Sequence, residues 1–158
     1  MSTPASIAKH PIHPILVSLP IGLWVFSVVA DLVFYVGWGG AIWKDVAWYT
    51  LGGGIVGALL AAVPGFIDFL TITDARARQA GIVHLVSNII ALVFFGVSFW
   101  LRWIAIVSVV PTALSIVGLA ALGVAGWFGG ELVFVHSMGV TPPKENRAKG
   151  STSHRRIA

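Results

Sequence analysis

Residues 82–101 read IVHLVSNIIALVFFGVSFWL, a run with no Lys, Arg, Asp or Glu. About 20 apolar residues in a helix cross the hydrocarbon core of a bilayer, so this stretch predicts a transmembrane helix. Three more runs of the same character lie around it: Ile15 to Val36, Val46 to Leu70, and Pro111 to Phe134. The last apolar run begins at Ile104, but Pro111 suits a first helical turn. Residues 102–110 are therefore expected along the interface, the alternative being a start at Ile104 with a kink at Pro111. The reading is an all-α integral membrane protein, a compact left-handed bundle of four transmembrane helices in one domain.

Composition supports it. Of 158 residues 57% are hydrophobic and 10% charged, against about 25% charged in soluble domains, and the mean hydropathy is +0.91. Too few polar residues exist to cover a water-soluble surface, which excludes an ordinary cytosolic enzyme, a nucleic-acid reader and a disordered scaffold. The absence of cysteine excludes disulfides, iron–sulfur ligation and thiol catalysis.

Cation placement orients the spans. Lys9, Arg76, Arg78, Lys144, Arg147, Lys149, Arg155 and Arg156 fall on one side, and only Lys44 and Arg102 on the other. The positive-inside rule puts both termini in the cytoplasm. Tyr35, Trp38, Trp43, Trp48, Tyr49, Trp100 and Trp103 then form an outer interfacial belt. The net charge of +4 is membrane-surface charge, with no nucleic-acid partner implied. The first span lacks a cleavage pattern and is expected to anchor uncleaved. Residues 1–13 form a cytoplasmic lead-in, 14–138 the transmembrane domain, and 139–158 a basic, disordered tail.

Gly53, Gly57, Ala61 and Gly65 recur every fourth position in span two, a stripe suited to close helix packing or to a flat cofactor. Gly118, Ala121, Ala125 and Gly129 do similar work in span four. No internal repeat is evident from the sequence.

The polar residues carry the functional signal. His10 and His13 precede span one, Asp68 ends span two, His84 opens span three, and Glu131 and His136 close span four, all at the cytoplasmic boundary. In His10-Pro11-Ile12-His13-Pro14 each histidine precedes a proline and is driven toward extended backbone. Both imidazoles are thus expected on a stiff lead-in before a helix starting at Pro14. Each residue also has a bland reading. His84 bonds a neighbouring carbonyl with Asn88 on its face, His136 meets a helix C-terminus, Asp68 pairs with Arg76 or Arg78, and Glu131 snorkels. At the outer end, Asp31 and Arg102 are expected to form an ion pair.

HPIHPILVSLPIGLW, AAVPGFIDFL with the basic loop and LVSNIIAL, and GWFGGELVFVHSMGV together resemble one family. It is the bacterial and archaeal membrane family catalogued as domain of unknown function 2231, and the likeness covers residues 10 to about 140. The resemblance implies a prokaryotic cytoplasmic membrane and marks His10, His13, Asp68, His84, Glu131 and His136. Relatives carrying fused Rieske-type iron–sulfur domains imply electron transfer and a redox partner of that type.

Three functions compete. A b-type cytochrome would hold haem between His84 and His13 or His136, with His10 a further candidate; no Cys-x-x-Cys-His exists for covalent attachment. A non-haem iron, zinc or copper site, redox or hydrolytic, would draw on the same imidazoles with Asp68 or Glu131. A small transporter, a subunit or a homodimer with a polar gate is the third, beside a purely structural cluster. Haem-based electron transfer is the leading expectation; whether the protein is an enzyme stays open.

Overall fold

The computed structural model describes residues 4–8, 10–106 and 108–140; the basic tail beyond Val140, including His154, lies outside the described residues. A two-residue strand pair, β1 (Ser6–Ile7) and β2 (His10–Pro11), leads into a short helix α1 (Ile12–Leu16) that runs on into α2 (Ser18–Tyr35). Three long helices follow: α3 (Ile42–Leu70), α4 (Ala75–Trp103) and α5 (Val110–Phe134). The stretch from Ile12 to Tyr35 and each long helix are long and apolar enough to cross a membrane. Apart from the strand pair, the described structure is all-helical.

Local chemistry sets the turns. Between α2 and α3 the chain passes through Gly37, Gly39 and Gly40, all at positive φ, where a Cβ is costly. Asp74 caps α4 by accepting from Ala77 N at 2.8 Å. Pro111 sits in the first turn of α5, where its missing N–H costs nothing.

The helices pack as two tight hairpins, α2 with α3 and α4 with α5. Small residues set how closely each pair approaches. A Cβ on Gly53 would lie 3.3 Å from Leu23 Cδ1, and one on Gly57 3.2 Å from Pro20 Cδ. In the second hairpin a Cβ on Gly118 would lie 3.1 Å from Phe95. The stripe of span two is therefore helix packing along this length, filled by α2. Between the hairpins the core is Trp24, Leu51, Ala91 and Phe95, with Trp24 stacked on Phe95 at 4.1 Å between ring centroids. Large apolar side chains elsewhere, such as Leu59, Ile89 and Trp127, are exposed. In lipid they need no burial, and cohesion comes from close packing and polar contacts.

The two hairpins repeat each other, contrary to the sequence reading. Counterparts in α1–α2 and α4 stand 71 positions apart (13 and 84, 24 and 95, 27 and 98, 31 and 102), and those in α3 and α5 stand 64 apart (47 and 111, 54 and 118, 61 and 125, 65 and 129). They make matching contacts. Trp24 rests on Gly54 as Phe95 does on Gly118. Ser27 Oγ donates to Ala47 O at 2.8 Å as Ser98 Oγ does to Pro111 O at 2.6 Å. Each His bonds the facing helix in the same way. Counterparts also meet one another at the bundle centre: His13 with His84, Trp24 with Phe95, Asp31 with Arg102. Equivalent residues in mutual contact define a pseudo-two-fold axis, and because α2 and α4 run in the same sense the axis lies along the bundle.

Candidate functional site: a histidine pair on the pseudo-two-fold axis

His13 belongs to the first turn of α1, whose N-cap is Pro11; the helix thus starts two residues before Pro14, and only His10 stays on the extended lead-in. His13 Nδ1 lies 2.8 Å from Ala61 O. A Cβ on Gly65, one turn further along α3, would lie 2.6 Å from that nitrogen, so only glycine leaves room for the ring. His84 repeats the arrangement in the second hairpin: Nδ1 is 2.7 Å from Ala125 O, and a Cβ on Gly129 would lie 2.9 Å from Cε1. The two ring centroids are 6.1 Å apart, with the planes at 89°.

A carbonyl only accepts, so Nδ1 carries the hydrogen in both rings. In the neutral imidazole that leaves Nε2 as a bare lone pair, the nitrogen a metal takes when the other ring N–H is held by a carbonyl. The lone pair of His84 faces Asn88, whose Nδ2 lies 3.1 Å from Nε2 and also donates to His84 O at 2.8 Å. The carbonyl fixes which end of the amide is nitrogen, so Asn88 donates to both. The bland expectation for His84, a carbonyl bond with Asn88 on its face, describes these contacts; the matching set around His13 lies outside it.

The other sequence candidates do not converge on this pair. His10 Nδ1 bonds Ala8 O at 2.9 Å, exposed on β2. Asp68 Oδ1 accepts from Ala5 N at 3.0 Å, fastening the amino-terminal strand pair to the end of α3. Arg78 reaches Ile72 O at 3.4 Å instead, and no Asp68 ion pair with Arg76 or Arg78 occurs among the described residues. His136 Nε2 lies 3.9 Å from Glu131 Oε1. Nearby, Asp74 is held below the usual carboxylate range, chiefly by the Ala77 N–H it accepts; burial opposes this, and Arg76 and His136 act in the same direction as Ala77. Among the described residues, no three or more of His, Asp and Glu gather closely enough to hold a metal ion. Missed by sequence reasoning were the Ala61 and Ala125 carbonyls, since a backbone acceptor has no residue signature. Gly65 and Gly129 were noticed as members of small-residue stripes, suited to helix packing or a flat cofactor, and not as the positions that make room for the two rings.

A family model described as a predicted membrane protein (DUF2231) matches residues 9–142. The chain belongs to this family. No curated protein and no solved structure matches it significantly. The DUF2231 match takes in both hairpins and every candidate residue.

At the other end of this DUF2231 bundle the expected ion pair is present. Arg102 Nη1 and Nη2 donate to Asp31 Oδ1 and Oδ2 at 2.7 and 2.5 Å, and Thr112 Oγ1 donates to Oδ2 at 3.0 Å. Asp31 is 3% exposed. Where the repeat would bring two identical residues together on the axis, unlike charges stand instead, which is the arrangement a buried pair requires. The eighteen positions from His84 to Arg102 in α4 span about 27 Å, close to the hydrocarbon thickness of a bilayer. The two polar tiers thus sit one membrane thickness apart, with the Trp24–Phe95 stack between them.

Proposed function

We propose that the chain is a small membrane electron-transfer protein whose His13 and His84 would hold a b-type haem. The carrying observation is the symmetric pair itself. Two imidazoles on different hairpins, each with Nδ1–H on a backbone carbonyl, stand 6.1 Å apart between centroids. Ligand count separates haem from a bare ion. A protein zinc site takes three or four side chains, whereas a porphyrin supplies four nitrogens and asks the protein for two. The same donor set therefore favours haem over the non-haem alternative. His10, Asp68, Glu131 and His136 are outside the ligand set in this reading. For His84 Nε2 to serve as a ligand, Asn88 would have to give up its 3.1 Å contact with it. Bound haem iron would supply one-electron chemistry.

In this reading the histidine end faces the cytoplasm of a prokaryote, by the excess of Lys and Arg on that side. A Rieske-type iron–sulfur protein is the redox partner the family resemblance offers. The test is an absorption spectrum of protein purified in mild detergent after expression with ample haem, oxidised and then reduced. A Soret band that sharpens on reduction with resolved α and β bands, lost in both His13→Ala and His84→Ala, is the expected result. A featureless spectrum overturns the haem reading, and elemental analysis of the same sample then reports any bound metal ion.

A further inference from the structure

The two hairpins match in contacts but not in height. At the Arg102 end α2 runs four residues past Asp31, to Tyr35, whereas α4 runs one past Arg102, to Trp103. On the return side α3 begins five residues before Ala47, and α5 one before Pro111. Each helix of the first hairpin therefore overhangs its counterpart by about one turn. A cavity of about 580 Å³ fills the step. Its lining includes the Asp31–Arg102–Thr112 cluster, Tyr35 and Lys44 of the overhang, and Trp48 and Trp103.

The chemistry of this lining is specific. Two acids, Asp31 and Asp45, and two bases, Lys44 and Arg102, leave it without net charge. Two of its donors are weakly held. Among the described residues Tyr35 O–H has contacts of 3.4 Å, to Ser108 O and Thr112 Oγ1, too long to satisfy it well. Lys44 Nζ stands 4.3 Å over the Phe34 ring, with no ion pair among the described residues. The guanidinium fork that would grip a phosphate bidentately is already occupied by Asp31. A neutral ligand with carbonyl acceptors and a flat ring suits the aromatic lining and these weakly held donors, and the volume falls in the range of about 300–1,000 Å³ common for small-molecule sites.

We propose that this cavity binds the head group of a quinone, its ring among Trp48, Trp103 and Tyr35, its carbonyls on Tyr35 O–H and Lys44 Nζ, and its apolar tail among the lipids. The site lies about 27 Å from the histidine pair and stands independently of the haem reading.

The test is a titration of decylubiquinone into detergent-purified protein, followed by tryptophan emission. Saturable quenching is expected, weakened about ten-fold or more by combined Tyr35→Phe and Lys44→Met, since each removes one hydrogen bond. His84→Ala should leave it unchanged. If the double variant does not fold, Lys44→Met alone, at an exposed position, serves the same purpose. Quenching that rises without saturation and equally in wild type and variant is micellar partition and overturns the proposal. So does displacement of the quinone by a lower concentration of short-chain phosphatidylethanolamine, which would make the cavity a lipid head-group site.

Discussion

Reversing the buried ion pair tests the pseudo-two-fold axis directly. Asp31 is 3% exposed and receives both Nη groups of Arg102 and the hydroxyl of Thr112. Arg102→Met strands the carboxylate with Thr112 as its remaining partner in that cluster, and breaking a buried pair in this way costs about 3–5 kcal/mol. For a chain of this size about 1 kcal/mol moves Tm by roughly 2–4 °C, so the variant should melt about 6–20 °C below wild type in the same detergent. Asp31→Leu should fall in the same range. The double reversal, Asp31→Arg with Arg102→Asp, restores the charge pair at two positions the axis makes equivalent. It forfeits the Thr112 hydrogen bond, because the counterpart of Thr112 in the first hairpin is Trp48. That loss is about 1.5–3 kcal/mol for a hydrogen bond to a charged group, so the reversed protein should melt about 3–12 °C below wild type. Thermal unfolding followed by circular dichroism at a fixed scan rate reads all four proteins. A reversed variant melting as low as Arg102→Met would refute the equivalence of the two positions, and with it the symmetry argument.

Gly65→Ala and Gly129→Ala each put a Cβ within 3 Å of a histidine ring; both should cost about 1–3 kcal/mol while membrane insertion persists, and under the proposed haem reading both should also lower pigment content, as fractionation and absorption would report. Ser27→Ala should lower stability by about 1 kcal/mol, and Ser98→Ala by more, because Ser98 also bonds Ser115 at 2.8 Å and lies 3.4 Å from Arg102 Nε; melting temperatures of the pair rank them. Asp74 has a lowered folded-state pKa, so its stabilisation is fully present above its ordinary value near 3.8 and drains away as pH falls through the folded value. Asp74→Asn, which keeps a capping side chain, should remove that acid-side loss when stability is scanned from pH 5 to about 2.

Some of the site was legible in the chain and some was not. A charged residue inside an apolar run must find its opposite, so Asp31 and Arg102 were matched from sequence alone. His10 and His13 looked alike because each precedes proline, yet the helix takes up His13 and leaves His10 on β2. Rigid presentation is a property of the backbone, and proline spacing did not say where the helix would begin. Asp68 was expected beside Arg76 or Arg78, its near neighbours along the chain, but among its contacts is Ala5 N, 63 positions away.

Hydropathy by itself determined the four spans, because lipid requires every backbone polar group to be satisfied inside a helix and a run of 20 apolar residues has little other choice. The repeat escaped notice for a physical reason as well. Five of the eight counterpart pairs are identical, but small or isolated residues carry little signal, and the large central ones differ: Trp24 answers to Phe95 and Asp31 to Arg102. The hydrogen bond from histidine to carbonyl closes over 48 residues in one hairpin and 41 in the other, so no single offset aligns both helices. Those seven extra residues are the overhang that opens the cavity. Which histidines face each other, and that the bundle has a step at its far end, were decided only when two unequal hairpins packed about one axis.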